Sequence, residues 1–297
     1  MSAPPILRPL AFGEVLDSAF TLYRRNFGTF VATALLPTLA VLAAFLAAGL
    51  HRAPVDVVMQ TAAAAGFFLV MIVAVLASLV MWGALTHLAS QAYGGLSATA
   101  GEGLRVGVRR FFPMLGAMVV SWVLLMVAVF AVVMVVAVVA MVAGMALGAA
   151  ASVVVAVIVG LGVLAFFLLA VALLFAVFPA VVVEGKGPVS AIARSIELSR
   201  GALGRLVGLM LVSLAIVYLP VLGVAVLTGT FATLYDTEAA AAAAGTTGFM
   251  LQQVLTSGVG ALTTPFLLSV IVVQYYDRRV RTEALDVQAA ADRLAMA

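Results

Sequence analysis

Eight charged side chains are the first candidates for chemistry: Glu14, Asp17, Arg24, Glu184, Arg194, Asp277, Arg278 and Arg281. They come from three distant segments, each bordering a long apolar run, so a helical membrane topology would bring all of them to one membrane face. Arginines placed there can grip a lipid phosphate through two donors at once. The competing reading is structural. Asp277 and Arg281, like Arg279 and Glu283, stand four residues apart, and Arg194 and Glu197 stand three apart, the spacings at which opposite charges pair along one helix. Polar groups near a membrane interface need partners in any case. Both readings stay open at the level of sequence.

Other chemistry finds little support. The chain has no cysteine, which excludes disulfides, thiolate metal sites and cysteine nucleophiles. Its two histidines, His51 and His87, are too few and too far apart for a histidine-based metal cluster, and no Ser-His-acid arrangement accompanies them. No catalytic residue, cofactor or metal site is expected, and the chain reads as a non-enzyme.

The elements that must position the charges are set by hydropathy. Residues 111 to 183 run without one charged side chain. At helical rise that is roughly 110 Å of apolar helix against a hydrocarbon core of about 30 Å, so the chain must cross a membrane, turn and cross back. With 66% hydrophobic and 9% charged residues, against about 25% charged in soluble domains, there is no room for a second, soluble catalytic domain. The expected fold is an all-α polytopic membrane bundle of six transmembrane helices: Phe27 to Leu50, Ala62 to Tyr93, Met114 to Ala143, Ala149 to Val182, Leu206 to Thr228 and Phe249 to Tyr276. Several exceed the ~20 residues a crossing needs, which predicts tilt or protrusion. The N-terminal segment lacks the features of a cleavable signal peptide, so the first span is expected to stay as an anchor.

Fourteen of the fifteen Lys and Arg residues fall in the segments on one side of this topology, and only Arg52 falls on the other. The positive-inside rule then places both termini in the cytoplasm, with a C-terminal tail from residue 277 to 297. On the other side lie His51 to Thr61, a turn from Gly144 to Gly148, and Gly229 to Gly248. The expected setting is the plasma (inner) membrane of a bacterium or archaeon.

Three amphipathic stretches precede spans on the charged side: Phe12 to Phe27, Thr99 to Phe112 and Pro188 to Gly204. In the first, Phe12, Val15, Leu16, Ala19, Phe20 and Tyr23 recur at helical spacing while Glu14, Asp17, Arg24 and Arg25 take other faces. Such helices are expected to lie in the headgroup plane. The whole reads as a single membrane domain over 1–297 with a threefold unit of interfacial helix, span, outer turn and span, in copies 9–94, 95–183 and 184–276.

Inside the spans, Gln253, Ser257, Gly260 and Thr264 share one face of the last helix, where they line a pathway or face the bundle. Pro37, Pro220 and Pro265 can kink or break their helices. Gly204 and Gly208 have GxxxG spacing. No Asp, Glu, Lys or Arg lies in the middle of any span, which argues against ion-driven transport.

Three clusters carry a resemblance. They are Arg8-Pro9-Leu10-Ala11-Phe12-Gly13-Glu14-Val15-Leu16-Asp17-Ser18-Ala19-Phe20 with Tyr23-Arg24-Arg25-Asn26-Phe27; Pro179-Ala180-Val181-Val182-Val183-Glu184-Gly185 with Ala191-Ile192-Ala193-Arg194-Ser195 and Leu198-Ser199-Arg200-Gly201; and Tyr275-Tyr276-Asp277-Arg278-Arg279-Val280-Arg281-Thr282-Glu283 with Asp286. In order and spacing they resemble the membrane domain found beside some glycerophosphodiester phosphodiesterases and, more often, standing alone in bacterial and archaeal membrane proteins of unassigned function. The resemblance implies a six-span helical domain and no chemistry, because phosphodiesterase activity belongs to a separate barrel domain.

Two functional classes follow. One is a non-enzymatic scaffold or binding module whose partners are membrane lipids, a protein or a second copy of the chain, with no nucleic acid. The other is a transporter or lipid-translocating protein with a groove between hairpins. A hydrophilic cleft reaching mid-bilayer would favour the second, and tight Ala, Val and Gly packing the first.

Overall fold

The computed structural model describes residues 8–47, 62–147, 149–228 and 246–284. The connections around His51, Arg52, Asp236 and Glu238, position 148 and the tail beyond 284 lie outside the described residues. Every regular element described is an α-helix: α1 (Phe12–Arg25), α2 (Phe27–Ala34), α3 (Leu36–Ala47), α4 (Ala62–Tyr93), α5 (Ala100–Arg109), α6 (Phe111–Leu147), α7 (Ala149–Leu173), α8 (Val177–Val182), α9 (Pro188–Ser199), α10 (Leu203–Leu227) and α11 (Thr246–Glu283). Six stretches are long and apolar enough to cross a membrane, in the order the hydropathy predicts.

The boundaries depart from expectation in four places. The first span is divided at Leu35 into α2 and α3, two residues before Pro37, whose ring and missing N–H disfavour the preceding helical turn. Pro220 and Pro265, by contrast, sit within continuous helices. The fourth span breaks after Leu173 and resumes at Val177, with Pro179 in the first turn of α8, where a missing N–H costs nothing. The last helix does not stop at Tyr276 but carries Asp277, Arg278, Arg279 and Arg281 on to Glu283. Residues 144–147, expected as a turn, are helical, as Met and Ala around a single Gly favour.

The chain falls into two compact units, Met1–Phe111 with Leu211–Ala297, and Phe112–Met210. In the first, burial gathers at the charged ends of the long helices. On α4, Leu79, Met81, Ala84, Leu85, Leu88 and Ala89 are buried, whereas Phe68, Leu69, Met71, Ile72, Val75 and Leu76 are exposed. On α11, residues 268 to 275 are almost wholly buried while Val254, Leu255 and Leu262 are exposed. At 32 and 38 residues, these helices reach about 48 and 57 Å, far more than a hydrocarbon core of about 30 Å requires. Their surplus length serves protein packing at one end.

What packs there are the short amphipathic helices, folded back against the long ones. Helix α1 runs antiparallel to α11: Leu10 meets Asp277, Phe20 lies edge-on to Phe266 with centroids 6.5 Å apart, and the Tyr23 hydroxyl donates to the Leu262 carbonyl at 2.8 Å. Helix α5 runs antiparallel to α4. A Cβ on Gly103 would come within 2.8 Å of the Leu88 side chain, and one on Gly107 would collide with the Val80 carbonyl oxygen. These two glycines allow close backbone approach, whereas nothing lies near Gly204 of the GxxxG pair noted in the sequence.

In the second unit α9 folds back in the same manner on the end of α7 and on α8, leading from the Glu184 region toward Leu173. Its Ser195 Oγ donates to the Leu173 carbonyl at 2.7 Å and accepts from the Ala176 N–H at 3.0 Å. Ser199 Oγ donates to the Ser195 carbonyl at 2.7 Å, with the carbonyls of Ala172 and Leu173 each at 3.3 Å. Two buried hydroxyls thus serve backbone groups that the interruption between α7 and α8 leaves outside a regular ladder.

Candidate functional site

The candidate charges fall in both compact units, Glu184 and Arg194 in the second and the others in the first. Near the start of the chain, the Arg8 guanidinium makes a fork of two hydrogen bonds to Glu14, Nη2 to Oε1 at 2.6 Å and Nη1 to Oε2 at 3.0 Å. Glu14 Oε2 also accepts from the Ala11 N–H at 2.7 Å, so the third residue of α1 satisfies the donor just ahead of the helix. The Arg8 hydrogen bonds, followed by the Ala11 N–H, hold the Glu14 carboxyl well below its ordinary value, at about 2. An equivalent box opens α5, where Glu102 accepts from the Thr99 N–H at 2.8 Å and the Thr99 hydroxyl accepts from the Glu102 N–H at 3.3 Å.

Asp277 is the most deeply placed carboxylate of the set, with a fully buried side chain. Oδ1 accepts from the Leu10 N–H at 2.7 Å, and both its oxygens lie 3.1 Å from Arg281 Nε. Arg281 Nη2 then donates to the Leu10 carbonyl at 2.6 Å. One turn of α11 therefore holds both backbone polar groups of a buried Leu10. The four-residue spacing read from the sequence is a helix ion pair, and it also recruits a segment from the opposite end of the chain. Arg279 pairs with Glu283 at 2.9 Å and lies 5.7 Å from the Tyr275 ring centroid. Arg278 is 9% exposed.

Tyrosines tie α4 to the same stretch of α11. Tyr93 stacks on Tyr276 with centroids 5.0 Å apart, and the Tyr276 and Ser90 hydroxyls share a hydrogen bond of 2.6 Å. One buried donor nearby goes unmet among the described residues: Gln274 is 5% exposed and its Nε2 has no acceptor there. Neither Ser90 nor Gln274 stood out in the sequence as part of the charged set. A polar pair at the end of a span, facing two tyrosines, is the signal that was available.

In the second unit Glu184 binds Arg194 Nε through both oxygens, at 3.0 and 3.1 Å, and Lys186 at 3.5 Å. Arg194 also reaches Glu197 at 3.1 Å. Glu184 and Arg194 are largely covered, while Glu197 is exposed. Asp17 and Arg24, by contrast, are exposed on α1 and join no ion pair among the described residues. Among the described residues no group of three or more His, Asp or Glu is placed to hold a metal ion.

What these arrangements do chemically is tie backbone to side chain and segment to segment. Among the described residues, Glu14, Glu184, Glu197, Asp277 and Glu283 are engaged with arginine. No curated protein and no solved structure matches the chain. The model of one family, described as Domain of unknown function (DUF7847), matches residues 10–279, from the anchored Leu10 to Arg279 beyond its Asp277 anchor, and the chain belongs to that family.

Proposed function

We propose that this protein is a non-enzymatic membrane scaffold, a module of the plasma (inner) membrane with both termini in the cytoplasm, that binds lipid or a protein partner at its charged inner end. The observation that supports this reading is the division of labour along the long helices. The charged ends of α4 and α11 are packed against amphipathic helices and locked by ion pairs and tyrosines, whereas their other halves expose aliphatic and aromatic side chains. A hydrophobic surface of that kind is matched to acyl chains, and a rigid polar end is suited to presenting a fixed surface. The open face of α4 formed by Phe68, Met71, Ile72, Val75 and Leu76 is wholly apolar, a surface suited to lipid tails. Kinship with the membrane domain that accompanies some glycerophosphodiester phosphodiesterases belongs to the same proposal, carried by the three clusters of charged residues.

Reconstitution into vesicles carrying a fluorescent phospholipid in both leaflets tests it. A scaffold leaves the outer-leaflet fraction bleached by dithionite at the level of protein-free vesicles. Bleaching of both leaflets would overturn the reading and establish lipid translocation by grooves between hairpins. Reporter fusions at residue 1, at 95–98 and at residue 297 test the orientation, all three being expected on the cytoplasmic side.

A further inference from the structure

Two sets stand out among the basic side chains. Arg8, Lys186, Arg194, Arg279 and Arg281 are paired with carboxylates. Arg24 and Arg25, at the end of α1, and Arg109 and Arg110, at the end of α5, make no ion pair among the described residues. Arg24, Arg25 and Arg109 are exposed and Arg110 is partly so. Each pair closes an amphipathic helix at the point where the chain turns into an apolar one, α2 after Asn26 and α6 directly after Arg110. Helix α2 packs against α5, so the two pairs belong to adjoining elements of one unit.

A cation in the last turn of a helix is favoured by the helix dipole, but that interaction leaves the five N–H donors of each guanidinium without acceptors. The neighbours of these arginines say which acceptor fits. Phe27 follows Arg25 by two residues and is 46% exposed. An exposed ring beside unpaired cations suits a ligand with an anionic head and an apolar body, whereas an acidic peptide or a free phosphate would leave the ring in water.

We infer that Arg24, Arg25, Arg109 and Arg110, with the ring of Phe27, form a binding surface for the headgroups of anionic phospholipids. The surface deepens the scaffold reading and rests on it for the placing of this end of the helices at the membrane's inner face. Each arginine near such a surface contributes a several-fold preference for anionic lipid that salt weakens.

The test is native mass spectrometry of the detergent-purified full chain, offered equal amounts of phosphatidylglycerol and phosphatidylcholine of matched acyl chains. The wild type should retain phosphatidylglycerol by roughly tenfold or more. In the quadruple variant R24Q/R25Q/R109Q/R110Q the two lipids should be retained alike. Should that variant fail to fold, R24Q/R25Q and R109Q/R110Q separately should each lose part of the preference, while a quadruple Arg→Lys variant should keep most of it. Folded Gln variants that keep the full preference would overturn the proposal. So would displacement of the bound lipid by soluble glycerol phosphate, which would make the site one for a small anion. Lipid translocation in vesicles together with an intact, arginine-dependent preference would remove the scaffold reading and leave this surface standing.

Discussion

Asp277 accepts a hydrogen bond from the Leu10 N–H at 2.7 Å across 267 residues of sequence, and Arg281, its neighbour one turn on, donates to the Leu10 carbonyl at 2.6 Å. The consequence is that α1 stands to the last long helix as the connecting helices α5 and α9 stand to the helices that precede them. In all three places an amphipathic helix folds back along the end of a long apolar one and delivers the chain, through arginines, to the next. The N-terminal helix takes up the end of α11.

Replacing Asp277 tests the weight of that anchor. Asp277→Ala leaves the Leu10 N–H, in a residue 2% exposed, without its acceptor, and such an orphan costs about 1–3 kcal/mol. Arg8→Ala breaks a pair whose side chains are 55% and 41% exposed, and a smaller loss is expected because solvent screens such a pair. Unfolding of the two variants in detergent, by heat or denaturant, should rank them in that order. Equal and small losses would show that α1 is held by its apolar contacts alone.

The close approach of α5 to α4 depends on Gly107. A Cβ there meets the Val80 carbonyl oxygen and lies 3.1 Å from the Ala84 nitrogen, backbone atoms that cannot turn aside. Gly107→Ala should therefore lower stability by about 1–3 kcal/mol, as overpacking does. Gly101, on the same helix, has nothing within 4 Å, and Gly101→Ala should gain some of the ~1 kcal/mol by which Ala exceeds Gly in helices. If both substitutions stabilise, α5 is not seated on α4 by its glycines.

Hydropathy located the six spans because uncharged runs of this length admit little else. It did not locate the break between α7 and α8, since Leu174 to Ala176 are as apolar as their surroundings and the groups that serve it, Ser195 and Ser199, lie some twenty residues on. Nor could it place Leu10 on Asp277, because a backbone N–H leaves no mark in sequence. Two signals were present. Gly103 and Gly107 stand four apart on the amphipathic stretch, on the face that meets α4, and Ser195 and Ser199 repeat that spacing on α9. The end of α11 ran past its expected limit because Asp277–Arg281 and Arg279–Glu283 pairs favour continuing the helix in which they form.

Two buried polar side chains should respond to substitution in opposite senses. Ser195 Oγ is fully engaged, with donor and acceptor both met; Ser195→Ala should cost about 1–2 kcal/mol. Gln274 Nε2 is buried without an acceptor, and Gln274→Met, of similar volume, removes the unmet donor. Stability of that variant should be unchanged or higher. A loss at Gln274 as large as that at Ser195 would show that its amide is satisfied in the membrane-embedded protein.

The Arg8–Glu14 fork sets a pH dependence whose sign is fixed. Glu14 titrates from the folded chain at about 2 rather than at its ordinary 4.5, with the Arg8 hydrogen bonds as the largest cause and the Ala11 N–H next. A carboxyl lowered on folding contributes to the folded state above its unfolded value, and that contribution is lost as pH falls through the window from 4.5 to about 2. The pair is exposed, so the effect is local: the segment from Arg8 to Ala11 should loosen on acidification. Following the Glu14 carboxyl carbon by NMR should give a midpoint near 2 in the wild type. In Arg8→Gln the midpoint should rise most of the way toward the ordinary value, with the remaining depression due to the Ala11 N–H. An unmoved midpoint would mean that the helix start, not Arg8, governs this carboxylate.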